Sequence, residues 1–225
     1  MNRVIAIDGP AGAGKTSVSR QIGKKLGFLH VDSGALYRIM TLMALRQQID
    51  TNSEYALTAF APTVEIEFFV QDGCVKYKVG DIEPGDAIRT AEINQHASPV
   101  SKVPAIRERV TNLLRGLRNL GDLVVEGRDI GSVVFPDSPA RFYLDASPEE
   151  RARRRHLEEH TKGMTNSSRE DVKVSLLNRD KIDSSRKVAP LKIAEGAIVI
   201  DSTNLTLDQV VQTIINRLPD DWIHD

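Results

Sequence analysis

Eight residues near the start, GPAGAGKT (Gly9 to Thr16), limit what this chain can fold into more than any other stretch. They fit the pattern G-x-x-x-x-G-K-[ST]. The apolar run Val4-Ile5-Ala6-Ile7 precedes them, and Val18, Ile22 and Leu26 follow at i, i+4 and i+8. A buried parallel strand therefore runs in, and an amphipathic helix closed by Gly27 runs out. Glycines at 9, 12 and 14 let successive backbone N–H groups turn inward around phosphate oxygens, at the positive end of a helix. Lys15 is then expected to neutralise the β- and γ-phosphates of a nucleotide, with the Thr16 hydroxyl as a Mg²⁺ ligand. The competing reading is a glycine-rich turn with an exposed lysine.

The rest of the chain continues the alternation of strand and helix. A second strand around Phe28–Val31 ends in Asp32-Ser33-Gly34, and the helix behind it turns Leu36, Met40, Met43 and Ala44 inward. Leu123–Val125, Phe142–Leu144 and Ala197–Ile200 read as three more buried strands. Pro104 opens one helix, Ser147-Pro148-Glu149-Glu150 is a capping box for another reaching about His160, and Val210, Val211, Ile214 and Leu218 line a last one. Between 62 and 90 the period changes to two: Val64, Ile66 and Phe68 alternate with Glu65 and Glu67, and after Gln71-Asp72-Gly73, Val75, Tyr77 and Val79 alternate with Lys76 and Lys78. That is a hairpin with one wet face and opposed Glu and Lys rows. The expected fold is α/β: a five-stranded parallel sheet with helices on both faces, a small β insertion at 62–90 with a solvated subdomain face, its edge as a partner site being the alternative, and a polar, turn-rich mobile loop at 161–168.

Composition narrows the function classes. Thirty Lys and Arg nearly cancel 31 Asp and Glu, so no overall field draws the protein to nucleic acid or to an anionic membrane. Cys74 is the only cysteine, which rules out an intrachain disulfide. The N-terminal apolar run is too short for a secretory signal and no run approaches membrane-spanning length, so a cytoplasmic protein is expected. A guanine-reading Asn-Lys-x-Asp segment does not occur, and the strand Leu123–Val125 ends in Glu-Gly-Arg-Asp rather than the acidic pair of a motor ATPase.

What stands out is arginine near the carboxyl ends of the strands. Arg38 lies on the second helix, Arg128 directly follows the third strand, Arg151, Arg153, Arg154 and Arg155 crowd one helix, and Arg179 and Arg186 flank Asp183 on one helical face. A guanidinium holds phosphate bidentately and offsets the charge that builds between two phosphates during transfer. About half of the 151–155 cluster is expected to be a solvated face. Carboxylates at Asp32, Asp129 and Asp183 would repel a polyanion unless they meet an exocyclic amino group or sugar hydroxyls, and a carboxylate pairs naturally with the cytosine N4 amino group. A phosphate loop, arginines for a second phosphate, and carboxylates for a base and ribose read as a nucleoside monophosphate kinase. A different small-molecule acceptor, or a nucleotide-dependent switch or RNA-binding regulator, remain the alternatives.

At these residues the sequence resembles the bacterial cytidylate kinase family. IDGPAGAGKT, VDSGALYR (31–38), EGRDIGSVVFPD (126–137), FYLDAS (142–147) and NRDKIDSSRKVAPL (178–191) carry the resemblance over almost the whole chain, and the insertion resembles the family's extended monophosphate-binding region. The resemblance implies ATP-dependent phosphorylation of CMP and dCMP by a single domain with a core at 1–34, 105–154 and 169–225, a monophosphate-binding region at 35–104, and a lid at 155–168. It implies that Gly9, Pro10, Ala11, Gly12, Ala13, Gly14, Lys15, Thr16 and Ser17 bind ATP, with Thr16 on Mg²⁺. Ser33, Ser98, Arg107 and Asp129 would surround the cytosine, Arg38, Arg128 and Arg186 the acceptor phosphate, and Arg179 and Asp183 the sugar. Lys15, Arg128, Arg186 and Arg154 or Arg155 would carry the transfer. Glu126 departs from the aspartate expected at its position. Taken alone, Ser98 reads as a loop residue and Arg107 as a solvated helix position. The expected partners are small molecules only, with neither nucleic acid nor membrane, and the expected state is a monomer.

Overall fold

The computed structural model describes residues 2–161 and 168–222. The strands are β1 (Val4–Asp8), β2 (Leu29–Asp32), β3 (Glu67–Gln71), β4 (Cys74–Lys78), β5 (Leu123–Gly127), β6 (Ala140–Asp145) and β7 (Ile198–Asp201). The helices are α1 (Lys15–Leu26), α2 (Ser33–Arg46), α3 (Glu54–Phe60), α4 (Ala91–Lys102), α5 (Pro104–Gly116), α6 (Pro148–Thr161), α7 (Arg169–Ser185) and α8 (Leu207–Ile215).

The strands form one sheet in the order β3-β4-β2-β5-β1-β6-β7, seven strands rather than the five expected. The five apolar strands are parallel to one another, and the two central ones, β1 and β5, are buried along their whole length. The correction concerns the insertion. Its hairpin does not stand apart but extends the sheet: β4 meets β2 in parallel at His30 and Cys74, and His30 N donates to Gly73 O at 2.9 Å. Joining the sheet covers the edge that β2 would otherwise expose and buries Val75 and Tyr77. The turn itself is as read, with Asp72 and Gly73 both left-handed at φ 51° and 68°. Glu67 opposes Lys78, and Phe68 meets Tyr77 edge to face at 5.9 Å.

Alternation along β1 divides the core between the two faces of the sheet. Val4 and Ala6 join Leu36, Ile39, Met40, Ile106 and Val110 beneath α2 and α5. Ile5 and Ile7 join Val18, Ile22, Val210, Val211 and Ile214 beneath α1 and α8. A third, small cluster of Ala11, Ala152, Val172 and Leu176 seats α6 and α7 on the loop after β1. Pro104 opens α5, and Ser147 Oγ accepts the Glu150 N–H at 3.2 Å at the start of α6. The second half of that capping box is diverted, because the Glu150 carboxylate takes Arg153 and Arg154.

The register sets Asp8 beside Gly127 and Asp32 beside Glu126 at the carboxyl ends of their strands, where open α/β sheets bind ligands. Two local readings change. Ser98 lies inside α4, not in a loop. Arg186 caps α7 in an extended conformation, one residue past the helix that was expected to carry it. The 155–168 segment expected as a lid begins as the last turns of α6 and ends at the Ser168 cap of α7; of the polar loop between, residues 162–167 lie outside the described residues.

Candidate active site

The loop after β1 is pressed onto β6. At Gly9, φ is 147° and a Cβ would sit 2.0 Å from the Leu144 carbonyl oxygen, so a larger residue cannot be placed there. Gly12 and Gly14 follow at φ 79° and 93°, and Gly14 starts α1. The Lys15 side chain folds back over the loop, with Nζ donating to Gly9 O at 2.8 Å and to Pro10 O at 2.7 Å. Burial, reinforced by the charge of Arg128, pushes its pKa down to about 7. A buried lysine with that bias is poised to gain from an incoming anion. Asp8, at the end of β1, accepts the N–H groups of Ile130 and Gly131 at 2.7 Å each, which ties the phosphate loop to the turn behind Arg128. Burial raises the Asp8 carboxyl to about 6 against those two hydrogen bonds.

Helices α6 and α7 grip the same loop. Arg151 is buried, donates to Ala11 O at 3.2 Å and to Ala146 O at 3.1 Å, and pairs with Asp180, whose other oxygen accepts the Ala11 N–H at 3.3 Å. Arg154 donates to Ser202 Oγ at 2.9 Å, Ser202 O at 2.7 Å and Ala13 O at 3.3 Å. Arg155 pairs with Glu158 and Glu159. The cluster therefore splits, with Arg151 structural, Arg153 on an exposed helix face, and Arg154 and Arg155 at the cavity.

A cavity of about 750 Å³ opens over the carboxyl edge of the sheet. Ala11, Gly12, Gly14, Lys15, Thr16 and Ser17 form one wall, whereas Gly9, Pro10 and Ala13 do not line the cavity. Ser33, Arg38, Ser98, Arg107, Arg128, Asp129, Arg179, Asp183 and Arg186 line the remainder, so every expected acceptor residue borders the same space as the phosphate loop. Arg107 is not solvated: it is 3% exposed, pairs with Asp129, donates to Ser101 O at 3.0 Å, and stacks on Tyr37 at 5.2 Å. Arg128 Nε donates to Asp183 Oδ2 at 3.0 Å, and Arg186 stands 3.7 Å from Asp183 and 4.0 Å from Asp129.

Of the five buried guanidinium N–H groups that have no acceptor among the described residues, three belong to arginines of the cavity wall: Arg38 Nε, Arg179 Nε and Arg186 Nη2. Buried donors are rarely left unpaired, and charged ones on facing arginines suit a multivalent anion. Burial and the neighbouring charges of Arg128 and Arg38 lower the Arg179 pKa to about 9, the mark of cations packed together. Two wall residues, Tyr37 and Arg89, were given no role by the sequence; Glu126, also in the wall, is buried with Oε1 3.2 Å from His30 Nε2.

A phosphate loop and an arginine-lined wall across one cavity are the arrangement of a phosphate-loop kinase, a phosphotransferase. The protein-family model for cytidylate kinase matches residues 5–220. The cytidylate kinase of Limosilactobacillus fermentum is 40% identical over 214 residues, covering 95% of this chain and 94% of that protein. That of Aeromonas salmonicida is 40% identical over 215 residues, covering 96% and 93%. The chain belongs to the cytidylate kinase family, within the nucleoside monophosphate kinases. Among solved structures, an uncharacterized protein from Eubacterium ventriosum has the same fold at TM-score 0.50 and 13% identity, over 95% of this chain and 96% of that one. Among the described residues no helix is long and apolar enough to cross a membrane.

Proposed function

We propose that the protein transfers the γ-phosphoryl group of ATP to CMP and dCMP, giving ADP and CDP or dCDP. The observation that carries this reading is the single cavity shared by the phosphate loop and the arginine–carboxylate wall, together with kinship to cytidylate kinases over nearly the whole chain. An oxygen of the CMP phosphate forms the new bond to the γ-phosphorus as the bond to the β–γ bridging oxygen breaks, and ADP leaves with that electron pair. The nucleophile is already an anion, so no strong general base is required. Catalysis then lies in positioning and in offsetting charge on the γ-phosphoryl oxygens by Lys15, Arg128, Arg186, and Arg154 or Arg155.

The loop from Gly9 to Ser17 would cradle the ATP phosphates. Magnesium arriving with ATP would supply charge neutralisation on the phosphates, and the Thr16 hydroxyl, a hard oxygen donor in the cavity wall, would hold it. Arg38, Arg128 and Arg186 would take the acceptor phosphate, Arg179 and Asp183 the sugar, and Ser33, Ser98, Arg107 and Asp129 the cytosine. Region 35–104 serves as the acceptor side, supported by the presence of Arg38 and Ser98 in the wall. We read the enzyme as a cytoplasmic monomer acting on neither nucleic acid nor membrane, consistent with its balanced charge and single cysteine. A coupled ADP assay tests the reaction type. ADP should form rapidly only when CMP is present, and slow acceptor-independent hydrolysis would mark a switch instead.

A further inference from the structure

The hairpin insertion takes no part in the chemistry above, yet it and the turn after it reach the acceptor end of the cavity at one residue, Asp32. Tyr77 on β4 donates its hydroxyl to the Asp32 carbonyl at 3.1 Å. Arg89, at the end of the 3-10 turn Gly85–Arg89, donates Nη2 to Asp32 Oδ2 at 3.1 Å. The other carboxylate oxygen of Asp32 accepts the Ala35 N–H at 3.2 Å and caps α2. Arg38 projects from the second turn of that helix. Its Nη2 lies 3.4 Å from Asn94 Oδ1, and its Nε has no acceptor among the described residues.

This arrangement poses an electrostatic conflict and resolves it. Asp32 lines the same cavity as Arg38, and burial opposes its charge, but Arg38 and Arg89 together hold the carboxyl below its ordinary range. If Arg38 were the only cation facing this carboxylate, an acceptor phosphate would have to compete with Asp32 for it. Arg89 meets Asp32 at Oδ2, through a hydrogen bond between charged groups in a partly buried wall.

We propose that Arg89 is a positioning residue for the acceptor phosphate: by occupying Asp32 it frees Arg38 for the monophosphate, making the turn behind the hairpin insertion a working part of the acceptor site. The proposal rests on the assignment of Arg38 to that phosphate. Because Arg89 works through Asp32, its importance vanishes when Asp32 carries no charge.

A double-mutant cycle tests this. CMP binding is measured by calorimetry without ATP or magnesium, and KM values for CMP and ATP by coupled assay, for wild type, Arg89→Met, Asp32→Asn, the double variant and Arg38→Met. Asparagine caps helices as well as aspartate, so Asp32→Asn preserves the start of α2. Arg89→Met should weaken CMP binding by about thirtyfold, the scale of one charged hydrogen bond, and leave the ATP KM at the wild-type value. Arg89→Lys should recover most of the loss. The double variant should bind CMP within about threefold of Asp32→Asn alone. A thirtyfold penalty that persists in the Asp32→Asn background overturns the proposal, because Arg89 would then act on the ligand or on folding. Unchanged CMP affinity in Arg89→Met overturns it as well. Arg38→Met reads the underlying assignment separately: wild-type CMP binding there removes the assignment and the proposal with it, whereas weakened binding beside an unaffected Arg89→Met removes the proposal alone.

Discussion

Replacing Asp129 with asparagine separates base recognition from structural support at a single carboxylate. Asp129 Oδ2 is held by Arg107, whereas Oδ1 faces Arg186 Nη2 at 4.0 Å, beyond hydrogen-bond reach, and is left to accept from a ligand. The residue is 3% exposed, so whatever it meets is met with little competition from water. An ionised carboxylate accepts only: it pairs with the cytosine amino group and opposes the uracil carbonyl. Loss of one charged hydrogen bond is worth about 1.5–3 kcal/mol, which gives a preference for CMP over UMP of at least roughly 10- to 100-fold in kcat/KM, and the ceiling for such sites is about 10⁴. In Asp129→Asn a rotated amide offers a donor to uracil, and the ratio should narrow to within about tenfold. Removing the charge also leaves Arg107 uncompensated, at a cost of up to about 3–5 kcal/mol; Asp183 remains beside Arg186. The assay is therefore the CMP/UMP ratio of kcat/KM on one preparation, in which the folded fraction cancels, with ATP affinity as control. A mutant that keeps the full wild-type ratio while melting lower would show that Asp129 only orients Arg107, and the base-reading argument would be wrong.

Lys15→Ala should lower kcat by about 10³-fold or more, since it removes a cation from the transferred phosphoryl group; near-normal turnover would exclude the loop as the transfer site. The depressed Lys15 pKa predicts proton uptake with MgATP. The folded pKa of about 7 lies below the ordinary 10.5, so at pH 8 the lysine is mostly neutral and the phosphates must draw close to one proton from buffer, while at pH 6 they draw almost none. By the same sign, between pH 7 and 10.5 the unfolded chain holds more protons than the folded one, and the Lys15 contribution to stability rises with pH. Calorimetry in buffers of different ionisation enthalpy reads the uptake, and equal heats in all buffers at pH 8 would contradict it. Asp180→Asn strands the buried Arg151 charge and loosens Ala11; a loss of about 3 kcal/mol should lower Tm by roughly 6–12 °C in a chain of this size, and a melt identical to wild type would show that this pair does not hold the loop.

The parallel core was legible because its signals are local: short apolar runs, a glycine loop between one such run and a helix, and turn residues around Asp72-Gly73. What joins the hairpin to the sheet is not local. β4 meets β2 at His30 and Cys74, and neither residue type announces a partner across that separation. Helix α4 was hidden by Pro99 in its interior and by a polar composition with Ser98 and His96 on it. Arg107 sits among Glu108 and Arg109 and looks solvated in sequence; only the packing of α5 against the turn after β5 brings it to Asp129. The arginines Arg38, Arg128, Arg179 and Arg186 were legible as candidates for one cavity wall because charge near the ends of buried strands has few other uses. By contrast Arg89 and Asp180 act through side-chain pairs whose halves lie 57 and 29 residues apart.

The central claim is that one cavity joins ATP to a cytosine monophosphate, and acceptor discrimination measures it most directly. ADP release should be followed under identical conditions with CMP, dCMP, UMP, AMP, GMP and dTMP, and kcat/KM compared. The expected result is rapid turnover with CMP and dCMP, with UMP lower by at least about tenfold and the purine monophosphates and dTMP near background. Equal rates across the pyrimidines, or a purine monophosphate turning over faster than CMP, would contradict the account.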